Sequence, residues 1–384
     1  MLDKSTKSQI IETISDLISI KSVTPDEGEC IDYVKKYLEA LNFKANILKY
    51  NKTSNIYASV GSGKNLCFLG HTDVVPVQNL ELWSVDPFKL TLKSGKCYGR
   101  GTSDMKGTIG CFLVALKDVL AENKLNKQIS VFITGDEEGD GNDGVKRVVR
   151  EFLEPNGVKI DYCLIGEPTG ECEFLDCVKY GRRGSVNFEI KFTGQGGHIA
   201  YPQNFINPIT SAVKVSSALK SHVFDTGNEF FEPTNLEVRN FDAVNPVSNM
   251  IPRYAVISFN IRYSNLHSLE SISKQVENII KESSYCEYEI TNSYGADGYF
   301  SKESDFSKKI HEIVNKISGK SPLKSTTGGV TDGRFINHIC ENIYEVGTTA
   351  KMAHKIDEFV DEEEFYVLYN IYKQILVSYL NDSF

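Results

Sequence analysis

The chain has 384 residues, with 42 Lys and Arg against 51 Asp and Glu and a formal net charge of −9. That balance argues against charge-driven binding to nucleic acid or an anionic membrane, so neither is expected as a partner. With 41% hydrophobic and 24% charged residues the composition is that of a globular protein, which excludes disorder and collagen-like order, and the length suits two domains of roughly 100–200 residues each.

Residues 8–20 place Ile10, Ile11, Ile14, Leu17 and Ile18 at helical spacing, and 29–41 repeat the pattern with Ile31, Val34, Leu38 and Leu41. Two amphipathic helices therefore open the chain. Asp3, Lys4, Lys7, Glu12 and Asp16 interrupt the first apolar stretch, which suits neither a signal-peptide core nor a spanning helix, and no later run approaches spanning length. The nine cysteines are odd in number, scattered and without a C-x-x-C pair. They read as reduced thiols of a cytoplasmic protein.

Short apolar runs follow at 66–69, 129–134, 162–165 and 343–346, the first three separated by helical patterns such as 108–121 and 143–153. This alternation predicts an α/β fold with a mainly parallel sheet flanked by helices. Each of the first three runs leads into ionisable residues: Gly70-His71-Thr72-Asp73, Gly135-Asp136-Glu137-Glu138-Gly139 and Gly166-Glu167-Pro168-Thr169. Parallel neighbours would bring these side chains to one crevice, because open α/β sheets carry their sites outside the carboxyl ends of the strands.

Taken singly, each motif has a plainer reading. His71 and Asp73 are spaced so that the imidazole can turn to a metal while the carboxylate accepts its other N–H, yet such a pair alone more often marks a polar strand end. Asp104, in Arg100-Gly101-Thr102-Ser103-Asp104-Met105-Lys106-Gly107, can be held over the crevice by a glycine-rich entry or simply cap the helix that follows. Glu137 and Glu138 would repel in one pocket unless a cation or proton separated them, so one could bind metal while the other handles protons. A bare acidic run is more often a solvated loop. Glu167 adds a third acidic position.

From 184 to 296 the texture changes. Alternating strands at 185–193, 234–241 and 254–263, helices at 207–222 and 266–282 and a strand near 286–292 give a βαββαβ order, which suits an inserted α+β domain with an antiparallel sheet and two helices on one face. The first domain is then discontinuous, 1–183 and 297–384. It resumes with a helix at 304–317 and ends with one near 362–380. His354, before Asp357 and Glu358, is the other histidine in acidic company, whereas His222, His267, His311 and His338 read as structural or surface residues. Together His71, Asp104, Glu138, Glu167 and His354 supply two imidazoles and three carboxylates, a set suited to zinc. With Asp104 bridging, each of two ions would receive three protein ligands.

These motifs, with Gly181-Arg182-Arg183-Gly184-Ser185, Gly197-His198-Ile199-Ala200-Tyr201-Pro202 and Asp332-Gly333-Arg334-Phe335, give a chain that resembles the succinyl-diaminopimelate desuccinylases of the M20 metallopeptidase group over nearly its whole length. The resemblance implies a di-zinc exopeptidase-like catalytic domain and an inserted dimerisation or lid domain. His71, Asp104 and Glu167 would hold one zinc, and Asp104, Glu138 and His354 a second ion, zinc or else cobalt or manganese. Asp73 would orient His71, and Glu137 would be the general base. His198 would reach the site of the partner subunit in a homodimer and donate to the developing oxyanion.

The implied reaction is hydrolysis of N-succinyl-LL-2,6-diaminoheptanedioate to succinate and LL-diaminopimelate, in lysine and cell-wall precursor synthesis. That small-molecule substrate carries three carboxylates, which arginines can bind in bidentate fashion. Arg182 and Arg262 match family positions that bind substrate carboxylates, Tyr201, Arg183 and Arg334 are expected as supporting contacts, and Asn249 and Gly329 are placed in the same substrate-binding set. Ser248, Val330 and Ala350 depart from its pattern of Asn, a small polar residue and Asn. Rival readings are an N-acetylornithine deacetylase or another M20 amidohydrolase and, from a different class, a non-catalytic binding protein on the same fold.

Overall fold

The computed structural model describes residues 2–26, 28–244 and 247–384, the side chains of Tyr294 and Ala296 excepted. It divides into two units: Met1–Gly181 with Phe300–Ser325 and Thr331–Phe384, and Arg182–Tyr299 with Thr326–Val330.

The sheet of the first unit has eight strands, in the order Lys44–Tyr50, Thr53–Val60, Gln128–Thr134, Asn65–His71, Tyr162–Ile165, Ile343–Glu345, Cys177–Lys179 and Leu323–Ser325. Its centre is parallel: Asn65–His71 pairs in parallel with Gln128–Thr134 on one side and Tyr162–Ile165 on the other, and the latter pairs in parallel with Ile343–Glu345. The expected α/β class with a mostly parallel sheet is what forms. Every residue of Asn65–His71 is buried, the pattern of a strand covered on both faces and the reason the segment reads as a continuous apolar run.

Helix Lys106–Glu122 packs against Lys4–Ser19 and Glu362–Leu380. Its unbroken burial from Lys106 to Leu116 explains why it is apolar nearly all round instead of amphipathic. Lys106 is the exception that the packing satisfies: its buried ammonium donates to the carbonyls of Leu17 and Ile20 at 2.9 and 2.8 Å, at the negative end of the first helix. All nine cysteines are free and eight of them are buried.

Two segments differ from what periodicity suggests. The antiparallel hairpin Lys44–Tyr50/Thr53–Val60 is masked in the sequence by Lys, Asn and Ser, because it forms the sheet edge, where charge discourages further pairing; its turn holds Asn51 at φ +51°, a conformation Asn tolerates. The helix expected over 143–153 is a single α-turn, Val145–Val148, running into a π-helical stretch, Val149–Leu153, closed by the Glu154 amide on the Val149 carbonyl at 3.0 Å.

The second unit is a four-stranded antiparallel sheet in the order Asn235–Asp242, Tyr254–Tyr263, Gly184–Thr193, Glu287–Ala296. Alternate residues Val186, Phe188, Ile190 and Phe192 on one strand and Ala255, Ile257, Phe259 and Ile261 on its neighbour are buried with Ala212, Val215 and Leu219 of helix Pro208–Ser221 and Ile272, Val276 and Ile280 of helix Leu269–Ser283. Period-two strands thus meet helices of period 3.6 on one face. Both helices start on sequence-legible caps, Asn207 before Pro208 and a reciprocal box between Ser268 and Ser271. No described helix is long and apolar enough to cross a membrane.

Candidate metal centre

Four adjacent parallel strands deliver the ionisable residues. His71 ends one strand, Glu137 and Glu138 follow Gln128–Thr134, Glu167 follows Tyr162–Ile165, and His354 lies on the loop after Ile343–Glu345. Their carboxyl ends open on one side of the sheet, as parallel pairing requires. Asp104 joins them from the loop ahead of helix Lys106–Glu122. Gly107 lets that loop close down, since a Cβ there would stand 2.2 Å from the Thr102 carbonyl and 2.6 Å from the Phe365 ring.

The two oxygens of Asp104 face different histidines. Oδ1 lies 3.0 Å from His71 Nε2, and Oδ2 lies 3.0 Å from His354 Nε2. Glu167 Oε1 is 3.4 Å from His71 Nε2, and Glu138 Oε1 is 2.8 Å from His354 Nε2. Two groups of side chains, His71-Asp104-Glu167 and Asp104-Glu138-His354, therefore meet on one carboxylate. One donor atom each from His71, Glu137 and Glu167 also lie within 4.8 Å of one another, which puts Glu137 beside the first set.

Asp73 acts differently from the simple reading of an H-x-D pair. The Nδ1 of His71 is 2.9 Å from the main-chain carbonyl of Asp73 and 3.6 Å from its carboxylate. The carboxylate instead accepts from the amides of Glu137 and Glu138 at 3.2 and 2.9 Å. The turn after the strand aims the carbonyl at the ring and leaves the side chain to anchor the acidic loop. Asp73 thereby links the imidazole to both glutamates.

The electrostatics test whether this donor set fits divalent cations. Burial, and then the charge of Glu167, push the Glu137 carboxyl well above its ordinary range, and burial with the charge of Asp104 brings Glu167 to about 7. Burial opposes ionisation of Asp104 as well, but hydrogen bonds from His354 and His71 outweigh it and hold that carboxyl below its usual value. Hydrogen bonds to Asp104 and Glu138 carry His354 up to about 10. His354 Nε2 thus faces two carboxylate oxygens with at most one proton to offer. A cation accepting the nitrogen lone pair and both oxygens resolves that shortage, so the residues fit a pair of divalent ions.

The other sequence-derived positions, Arg334 and Ala350 excepted, fall in the second unit. Arg182, 5% exposed, donates from Nη1 to the Thr327 carbonyl at 3.0 Å, and a Cβ on Gly328 (φ +95°) would stand 2.4 Å from that nitrogen. Gly329 has open space around it. Arg262 donates from Nε to Asn260 Oδ1 at 3.0 Å, and Arg183 from Nη1 to Asn235 Oδ1 at 2.9 Å. His198 is exposed: its Nδ1 accepts from the Ala200 amide at 3.1 Å, its Nε2 lies 3.4 Å from Asn249 Nδ2, and its ring is 5.5 Å from that of the exposed Tyr201.

Sequence reasoning left three residues of the first unit without a role. Asp332 is 5% exposed, with no hydrogen-bond partner at Oδ2 among the described residues, and burial raises its carboxyl to about 7; its charge acts on Glu137. Arg100 and Glu358 form a buried pair at 2.5 Å. Their only sequence signal was membership of two motifs lying 258 positions apart.

Comparison with known proteins is consistent with this geometry. The family model described as Peptidase family M20/M25/M40 matches residues 67–378. A succinyl-diaminopimelate desuccinylase of Rickettsia felis is 41% identical over 383 residues, covering 96% of this chain and all of the relative, and one from Rickettsia bellii is 39% identical over 379 residues with 96% of each covered. Among solved structures, an M20 family metallo-carboxypeptidase of Sulfolobus solfataricus superimposes with a TM-score of 0.84 at 19% identity, covering 99% of this chain and 100% of that one. A dinuclear metal-binding M20 peptidase of Bacillus subtilis gives 0.71 at 16%, with 99% of each covered.

Proposed function

The chain belongs to peptidase family M20/M25/M40, and from that premise we propose that it is a metal-dependent amidohydrolase that releases succinate from N-succinyl-LL-2,6-diaminoheptanedioate. The observation that carries the chemistry is the Asp104 carboxylate with one oxygen on each imidazole. The substrate follows from desuccinylase relatives at about 40% identity along almost the entire chain.

In this reading His71, Asp104 and Glu167 hold one zinc, and Asp104, Glu138 and His354 a second zinc, cobalt or manganese ion. Bound there, such ions supply Lewis-acid polarisation of an amide carbonyl and a water acidified to a pKa of about 7. Glu137, whose burial strengthens its hold on a proton, takes one from the attacking water and passes it to the leaving amine. Asp73 fixes the backbone that presents Glu137 and Glu138 by accepting from both of their amides.

The substrate's three carboxylates are assigned to Arg182 and Arg262, with Tyr201, Asn249 and Gly329 as further contacts. Val330 and Ala350 cannot donate the side-chain hydrogen bonds that the family resemblance leads one to expect there. We assign the protein to the cytoplasm and to diaminopimelate formation.

Parallel assays of succinate release from N-succinyl-LL-diaminopimelate and acetate release from N-acetylornithine, with zinc restored to chelator-treated protein, test the substrate. The succinyl compound should be preferred by at least ~10²-fold in kcat/KM, because an acetyl group leaves a carboxylate-binding guanidinium unpaired. Equal or reversed preference rejects the assignment, and no metal-dependent turnover of either compound returns the chain to the non-catalytic class.

The reading also includes a homodimer in which His198 donates to the oxyanion in the site of the partner subunit. His198→Ala should lower kcat by about 10²–10³-fold, the scale for one oxyanion donor. Mixing that variant with an inactive Glu137 variant should restore part of the activity through hybrid dimers. Mixtures no more active than their components would show that His198 does not act across subunits.

A further inference from the structure

Glu358 is fully buried, and its partners lie around the shared aspartate. Its carboxylate accepts from the amides of Gly101 (3.2 and 3.1 Å), Ser103 (2.8 Å) and Asp104 (3.2 Å). Gly101 at φ +92° lets those N–H groups turn toward one point, and converging amides of this kind form a nest for an anion. Arg100, 3% exposed, supplies the countercharge through Nη1 at 2.5 Å.

The same guanidinium reaches the second ligand loop. Its Nη2 donates to the main-chain carbonyl of His354 at 3.4 Å, a residue held at φ +64°, where a non-glycine backbone needs support. The Trp83 ring lies 5.3 Å from the Arg100 guanidinium carbon and is nearly buried itself, so the pair is roofed by a cation–π contact. The next residue, Ser84, donates its amide to Asp357 Oδ1 at 2.8 Å. That bond ties the Trp83 segment to the turn carrying His354.

We propose that the Arg100–Glu358 pair is the positioning element of the metal centre: it sets the backbone of Asp104 and His354 together, so that the shared ligand and the most exposed ligand keep one mutual geometry with or without cations. Neither side chain touches the donor atoms, so both act through the loops they hold. The inference rests on the assignment of Asp104 and His354 as ligands. A purely structural ion pair would be replaceable without consequence for metal once the chain folds, whereas outer groups that orient ligands cost about 10–100-fold in affinity when altered.

Zinc titration of the full-length metal-free protein against a chromophoric competitor separates the two cases, with circular dichroism of each metal-free variant as the folding control. Glu358→Gln, which keeps the shape but weakens the nest, should bind both ions about 10–100-fold more weakly. Arg100→Lys, which keeps the charge but loses the two-armed reach, should weaken chiefly the ion on the His354 side. Activity of either variant should recover as zinc is raised, because every ligand and Glu137 remain. Unchanged affinity in folded Glu358→Gln overturns the inference, and if that variant does not fold, unchanged affinity in Arg100→Lys does so. Fewer than two ions on the unaltered chain would instead overturn the ligand assignment itself.

Discussion

Glu137→Gln should lower kcat by about 10²–10⁴-fold, the range for loss of one general base, while both metal ions stay bound. Glu137 and Glu138 are neighbours whose amides share the Asp73 carboxylate, yet their side chains have different company. Glu138 is 2.8 Å from His354 Nε2, in the group that also includes Asp104. Glu137 stands instead near His71 and Glu167, where desolvation, and then the charge of Glu167, raise its carboxyl well above the ordinary range. A carboxylate so placed accepts a proton readily and returns it to a departing amine. Gln preserves volume and removes that capacity. Turnover with saturating substrate, set beside metal content by elemental analysis, checks the claim; loss of one ion from the variant would make Glu137 a ligand and not a base.

The second large effect concerns the shared carboxylate. Asp104→Asn should weaken both ions by more than the ~10–100-fold typical of an outer-sphere change and abolish turnover at ordinary zinc levels. Each oxygen of Asp104 faces one imidazole at 3.0 Å. An amide in its place would offer one neutral oxygen to one ion and turn an N–H₂ group toward the other. His354→Ala, which touches one set only, should weaken a single ion. Titration calorimetry with zinc distinguishes these outcomes, and equal behaviour of the two variants would show that Asp104 does not bridge.

Much of the first unit was legible because its signals are local. Apolar runs such as 129–134 and 162–165 became buried central strands, and the buried pattern of 108–121 became the helix at the centre of the layer. The edge hairpin over 44–60 was not legible, since its outer strand has exposed Ile47 and partly buried Asn46, which break a polar-out, apolar-in alternation. The π-helical widening at 149–153 left no periodic trace either.

For the site, strand-end placement nominated His71, Glu137, Glu138 and Glu167, a glycine-rich helix entry Asp104, and acidic neighbours His354. Distances and partners were not legible. Asp73 illustrates the difference: spacing marked it as a companion of His71, but the fold alone routes that contact through its carbonyl and commits its carboxylate to the loop amides. Arg100 and Glu358 show it again, as each is unremarkable in its own segment and meaningful only once the loops meet.

By itself the sequence determined which elements form and which chemistry they can carry, because hydrophobic period, caps and side-chain type act within a few residues of the chain. Tertiary structure alone decided which oxygen faces which imidazole and what holds the ligand loops, because those contacts join segments separated by as many as 258 positions. Their register is set by parallel strand pairing and burial, which no local pattern records.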